Sequence, residues 1–323
     1  MRLTSIEICA GAGGQAIGLE QAGFDHLALV EIEPLACQTL KKNRPKWVVI
    51  EADLRKFSAS QFKGVDLLAG GVPCPPFSIA GKQLGQLDDR DLFPEAIRLT
   101  KQCNPKAIML ENVKGLLSSK FSAYREEIIL QLNQLGYKCE WKIFNSSDYG
   151  VSQLRPRAVL VAIKKRYFPY FKWPKQQKKP PQTVGELLFG EMASLGWENA
   201  DNWKIKANGI APTLVGGSKK HGGADLGPTR ARQAWAVLGV DGGGLANQPP
   251  INGFLAMPKL TLKMTALVQG FPTDWEFVGK KTPAYRQVGN AFPPPVAKAI
   301  GLSIKKAIQD YESKGKKTRR IKN

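Results

Sequence analysis

Hydrophobic and polar positions change their period along the chain. Over the first 165 residues, short apolar runs alternate with stretches of helical spacing, the pattern of βαβ units around a mainly parallel sheet. The spacing predicts seven strands, at residues 6–9, 27–31, 48–51, 65–69, 107–110, 138–144 and 158–163. Helices are expected at 15–22, closed by Gly23, and at 34–42, opened by Pro34. Two more fall at 91–102 and at 123–135, the latter closed by Gly136. Glycine just past a helix and proline at its first position are the usual stop and start signals.

Beyond residue 163 the pattern fades. Lys164-Lys165-Arg166 and the run Lys-Gln-Gln-Lys-Lys-Pro-Pro at 175–181 read as a basic linker. Residues 182–282 are rich in glycine and proline and show little periodicity, which predicts an irregular, loop-heavy second region. An amphipathic helix returns at 296–311, after Pro293-Pro294-Pro295, and the basic residues 314–323 read as a solvated tail. The domain division expected is 1–175 with 283–323 as one unit and 176–282 as the other.

Composition changes this picture in one respect. Lys plus Arg number 47 against 27 Asp plus Glu, a formal net charge of +20. A chain this basic attracts polyanions, nucleic acid first among them. The five cysteines are widely spaced, with no C-x-x-C, and there are two histidines, so zinc ribbons and disulfide frameworks fit poorly and no metal is expected. No apolar stretch approaches the roughly 18 residues of a membrane span, and the first residues lack a signal-peptide run; a reduced cytoplasm is the expected location.

Four motifs carry chemistry. Ala10-Gly11-Ala12-Gly13-Gly14-Gln15-Ala16 follows the first strand and opens the first helix, where glycines let a ligand approach the backbone. Glu31-Ile32-Glu33 ends the next strand, where a carboxylate can grip ribose hydroxyls, and Asp53 follows the third. These suit an adenosine-containing cofactor without saying which, and a tight glycine turn is the plainer reading of the loop alone. Gly70-Gly71-Val72-Pro73-Cys74 puts a cysteine beyond the end of the fourth strand, where it is either a nucleophile or ordinary packing. Glu111-Asn112-Val113 ends the fifth strand, so Glu111 is a candidate proton donor or a plain ion-pair carboxylate. Gln153-Leu154-Arg155-Pro156-Arg157 sets two guanidiniums two residues apart, on one face of an extended segment.

In combination these motifs resemble a DNA (cytosine-5)-methyltransferase of the bacterial restriction–modification type. Ala10-Gly11-Ala12-Gly13-Gly14 is similar to that family's cofactor loop, Pro73-Cys74 to its nucleophile motif, and Glu111-Asn112-Val113 to its acid motif. Gln153-x-Arg155-x-Arg157 resembles its paired arginines, Gln269-Gly270-Phe271-Pro272 the support of its recognition region, and Arg286-Gln287-Val288-Gly289-Asn290 its closing motif. Six motifs in family order cover nearly the whole chain. Cys9 departs from a common phenylalanine, Pro75 from a glutamine and Ile32 from a tryptophan; no reacting group is lost.

The resemblance implies a Rossmann-like α/β fold, a mostly parallel seven-stranded sheet, with a smaller irregular target-recognition domain at 176–282. It implies S-adenosylmethionine as cofactor, released as S-adenosylhomocysteine, held by Cys9, Gly11, Gly13, Gly14, Glu31, Ile32, Asp53, Leu54 and Asn290. Cys74 would be the nucleophile toward a flipped cytosine, with Glu111, Arg155 and Arg157 completing the catalytic group. Ser78, Thr213, Lys219, Lys220, Arg230 and Arg232 are the candidate contacts to double-stranded DNA, with His221 beside them, and 77–92 is a candidate lid. A monomer is the family's default, and a cognate restriction endonuclease the natural companion. Three rivals stand beside this reading. A dehydrogenase leaves Pro73-Cys74 and the charge unexplained. A transfer RNA cytosine methyltransferase usually carries Cys-Phe-Thr, which this chain lacks. A DNA-binding relative without activity is the third.

Overall fold

The computed structural model describes residues 2–73, 91–217 and 223–320, with side chains as far as Lys314. All seven expected strands form: β1 (Leu3–Ile8), β2 (Phe24–Glu31), β3 (Val49–Glu51), β4 (Leu67–Gly70), β5 (Ala107–Val113), β6 (Tyr137–Asn145) and β7 (Pro156–Lys164). They make one sheet in the order β3-β2-β1-β4-β5-β7-β6. The neighbours from β3 to β5 run parallel, and β7 is antiparallel to both β5 and β6. The chain thus reverses about β1, with β2 and β3 on one side and β4 and β5 on the other. The carboxyl ends beside such a reversal are where open α/β sheets bind ligands.

Two-residue alternation sends the strand side chains to opposite faces. Ile6, Ile8, Leu68, Ile108, Leu110 and Leu160 pack with Ile97 and Leu99 of α3 (Phe93–Cys103) and with Ile128 and Leu132 of α4 (Ser122–Gln134). Leu67, Ala69, Met109, Val159 and Val161 turn the other way. They meet Leu19 of α1 (Gly14–Ala22) and Ile300 and Ile304 of the last helix, α10 (Pro294–Arg320). Between α1 and α3 lies α2 (Pro34–Asn43), opened by its proline as expected.

Two expectations change. Among the described residues the second region holds four helices, α5 (Val184–Ala193), α6 (Ala200–Lys206), α7 (Thr229–Val237) and α8 (Leu262–Gln269), and a fifth, α9 (Lys281–Asn290), begins at its end and runs into the closing segment. They are short, and tertiary packing rather than periodicity holds them. Trp203, Leu214, Trp235, Val240 and Met264 share one core with Ala16, Ile17 and Leu40 of the first region. The second correction is at the C-terminus, where α10 continues through most of the expected tail, to Arg320.

Candidate active site

The glycine loop leaves β1 in left-handed backbone: Cys9 has φ +50°, Gly11 +54° and Gly13 +91°. Cys9 has a Cβ and holds a conformation that costs on the order of 1 kcal/mol or more, a strain typical of ligand-binding turns. Gly13 is the N-cap of α1, and a Cβ on Gly14 would run into the carbonyl oxygen of Phe292. The loop and the start of α10 are therefore fitted to each other without side-chain thickness between them.

The carboxylate of Glu31 braces this loop. It accepts the Gly11 N–H at 2.6 Å and the N–H groups of Ile32 and Glu33 at 2.9 Å each. Burial pushes its carboxyl up, and these backbone donors oppose the shift. Asp53 is gripped by Arg55 through two side-chain nitrogens and the backbone N–H, which holds it below the usual carboxylate range.

Cys9, Gly11, Gly14, Glu31, Ile32, Asp53, Leu54 and Asn290 line a single cavity of about 900 Å³. Gly71, Pro73, Leu92 and Glu111 line the same cavity. Save Gly13, where a Cβ would meet Leu40 and Trp275, the residues expected to hold a cofactor and the carboxylate expected to do chemistry thus share one space. Glu7 and Gln15, which the motif reading passed over, also line it. Both are buried, and neither Glu7 Oε2 nor the Gln15 amide has a hydrogen-bond partner among the described residues. A carboxylate between two isoleucines at the end of a strand, three residues before the Ala10–Ala16 glycine loop, was the signal that could have marked Glu7.

On the Glu111 side, β5 and β7 set the geometry. Val113 pairs with Arg157 and Glu111 with Val159, so Glu111 and Arg157 are diagonal neighbours on one face. Arg157 Nε lies 2.9 Å from Glu111 Oε1 in a mostly buried pair. Burial pushes the Glu111 carboxyl up, while Arg157 and then Arg155 pull it down. A Cβ on Gly71 would lie 3.3 Å from Glu111 Oε2, so the turn after β4 presses close to this carboxylate. Asn112 ties the same turn down by donating from Nδ2 to the Val72 carbonyl at 2.9 Å. Arg155 takes another course. Fully buried, it donates to the carbonyls of Leu214 and Gly289, both at 2.7 Å.

Residues 3–221 and 247–306 match the family described as C-5 cytosine-specific DNA methylase. The chain belongs to this family. It is 58% identical over 312 residues to the Type II methyltransferase M.NgoMIV of Neisseria gonorrhoeae, covering 96% of this chain and 99% of that one. To the Type II methyltransferase M.NaeI of Lentzea aerocolonigenes it is 55% identical, over 97% of this chain and 77% of the relative. Among solved structures, the S. pombe Dnmt2 methyltransferase superposes with TM-score 0.63 at 19% identity, over 94% of this chain and 99% of that one. The Entamoeba histolytica methyltransferase EhMeth does so with TM-score 0.65 at 15% identity, over 96% and 99%. These two show the fold, a Rossmann-like methyltransferase sheet.

As a member of the cytosine-specific methylases, the chain is a DNA (cytosine-5)-methyltransferase. Cys74, Ser78, Lys219, Lys220 and His221, with the candidate lid at 77–92 save Asp91 and Leu92, lie outside the described residues. Thr213 donates from Oγ1 to the Leu154 carbonyl at 2.6 Å, which fastens its segment beside Arg155. Arg230 and Arg232 are exposed on α7, and Arg232 Nε donates to the Gly227 carbonyl. Burial pushes the thiols of Cys9, Cys37, Cys103 and Cys139 up, away from thiolate character. Among the described residues no group of three or more His, Cys, Asp or Glu is placed to hold a metal, and no helix is long and apolar enough to cross a membrane.

Proposed function

We propose that this methylase moves a methyl group from S-adenosylmethionine to carbon 5 of a cytosine turned out of duplex DNA, with Cys74 as the covalent nucleophile. The observation that carries the reading is the shared cavity, lined both by the braced glycine loop and by Glu111, which Arg157 pairs. Residues 1–175 and 283–323 then form the catalytic unit, and 176–282 the unit that reads the target sequence. The protein acts as a monomer beside an endonuclease of the same specificity.

The cavity suits the cofactor. Glu31 and Asp53 offer carboxylate oxygens to ribose and adenine, Ile32 and Leu54 offer apolar contact, and Asn290 stands by the Gly14 loop. The partnerless polar atoms of Glu7 and Gln15 fit a ligand whose other end carries charge. When bound, S-adenosylmethionine supplies a methyl group on a sulfonium sulfur, open to attack by a carbon nucleophile.

Carbon 5 of cytosine is a poor nucleophile unaided. Cys74, as thiolate, adds to carbon 6 and makes the ring enamine-like, so that electron density gathers at carbon 5. Glu111, whose neutral form burial favours, donates as an acid to ring nitrogen 3 and takes up the charge that the addition pushes there. Arg157 holds that carboxyl in place, and Arg155 adds a second positive charge behind it. Once carbon 5 is methylated, loss of its proton re-forms the double bond and expels the Cys74 sulfur. Extruding the base costs a few kcal/mol, and phosphate contacts made by a chain of net charge +20 offset that cost.

Bisulfite sequencing of DNA from a methylation-free bacterial host tests the reading. Wild-type protein should protect cytosines within one short motif, and Cys74→Ala should protect none. Protection that persists in Cys74→Ala removes the covalent step. No protected motif from folded wild-type protein that binds S-adenosylhomocysteine overturns the DNA substrate.

A further inference from the structure

Three buried polar side chains join the segment that leads toward the recognition residues to the segment that closes the cavity. Gln153, Arg155 and Gln269 each expose no surface. Gln153 Oε1 accepts the Leu214 N–H at 2.9 Å, and Arg155 Nη1 donates to the Leu214 carbonyl at 2.7 Å, so both backbone polar groups of one residue are held. Gln153 Nε2 donates to Gln269 Oε1 at 2.6 Å, and Gln269 Nε2 donates in turn to the Ala291 carbonyl. Arg155 Nη2 holds the Gly289 carbonyl. The two carbonyls flanking Asn290 are therefore fixed by the same group of side chains that fixes Leu214.

Backbone packing repeats the connection. A Cβ on Gly289 would collide with the backbone of Gly216, and a Cβ on Gly216 would collide with Asn290 Oδ1. Asn290 Nδ2 also faces the Gly217 carbonyl, at 3.4 Å. Gly217, Asn290 and Ala291 all line the cavity, and residue 217 immediately precedes the stretch that carries Lys219, Lys220 and His221. Among the described residues every side-chain nitrogen and oxygen of Gln153, Arg155 and Gln269 except Arg155 Nε has a partner, and well-paired buried networks stiffen and specify one arrangement. A guanidinium fork can span two carbonyls that a single ammonium cannot.

We propose that Arg155, with Gln153 and Gln269, is a clamp that makes cofactor affinity and DNA affinity depend on each other, Arg155 acting as a positioning residue. A cofactor that orders residues 289–292 fixes, through Arg155 and Gln269, the register of residues 213–217 and so the approach of the recognition segment to DNA. The inference rests on the proposed reading of the cavity as the S-adenosylmethionine site. Linkage requires the effect to be reciprocal, each ligand strengthening the other by the same factor.

The test is calorimetric titration with S-adenosylhomocysteine, with and without a saturating duplex that carries the motif found by bisulfite sequencing. In wild type the duplex should tighten S-adenosylhomocysteine binding by about fivefold or more, within the usual range of coupling between sites. In Gln269→Met the enhancement should fall to within about twofold of none, while affinity without DNA changes by less than about threefold, and in Arg155→Lys the enhancement should be lost likewise. A merely structural role weakens both titrations alike and leaves their ratio at the wild-type value, which overturns the clamp, as does absence of coupling in wild type. Should Arg155→Lys fail to fold, Gln269→Met, which keeps the side-chain volume, carries the same comparison. Wild-type protein that does not bind S-adenosylhomocysteine overturns the cofactor reading itself, a result distinct from bound cofactor without coupling.

Discussion

On the proposed mechanism, Glu111 concentrates the chemistry of this site in one proton. Burial favours its neutral form and Arg157 opposes that, so the carboxyl sits in a contest whose balance a substitution can move. If the protonated form works, kcat is lost as pH rises through the Glu111 pKa. Removing the nearest cation raises that pKa further, so in Arg157→Met the alkaline limb of the kcat profile should move to higher pH. An unmoved limb assigns the titration to another group. Glu111→Gln should lower kcat by roughly 10²–10⁴, the usual worth of acid–base assistance, while filter binding shows DNA affinity retained. The Gln153-x-Arg155-x-Arg157 spacing foretold two arginines on one face but not their division of labour. What separates them is the partner each meets, the Glu111 carboxylate for one and the Leu214 and Gly289 carbonyls for the other, and both carbonyls come from segments distant in sequence.

At the scale of elements, the position of the closing segment depends on the contact between α1 and α10. A Cβ on Gly18 would collide with the Pro294 carbonyl and the Ala297 Cβ. Gly18→Ala should therefore cost about 1–3 kcal/mol through overpacking, seen as a fall in Tm of several degrees with weakened S-adenosylhomocysteine binding. An unchanged Tm would show that the two helices have room to separate. The strands were legible because each buried strand is a run of apolar residues between turn signals, and the glycine loop because its spacing is local. The helices α5 to α9 were not, since they are at most ten residues long and two carry glycine inside. One mark was there to be read: Thr183 accepts from the Glu186 N–H and Glu186 reaches back to the Thr183 N–H, a capping box spelled Thr-x-x-Glu. Asn112 illustrates the other limit. Its motif was visible, but its bond to Val72 depends on β4 and β5 being neighbours.

For the whole molecule, the excess of 20 positive charges sets how DNA binding responds to salt. If about six to ten phosphates are contacted, affinity should fall by roughly 10³–10⁵ between 50 and 200 mM salt. A nearly flat response in filter binding would mean that the charge serves another purpose. The cavity has one further consequence, which concerns timing. The glycine loop that lines it leaves the ribosome about 270 residues before Arg286, Asn290 and Phe292, which line it too. At about 5–20 residues per second the two are separated by roughly 13–54 s of synthesis. A nascent chain cannot assemble this pocket until Phe292 has been made, so a translation product that stops short of that residue should leave the genome unmarked.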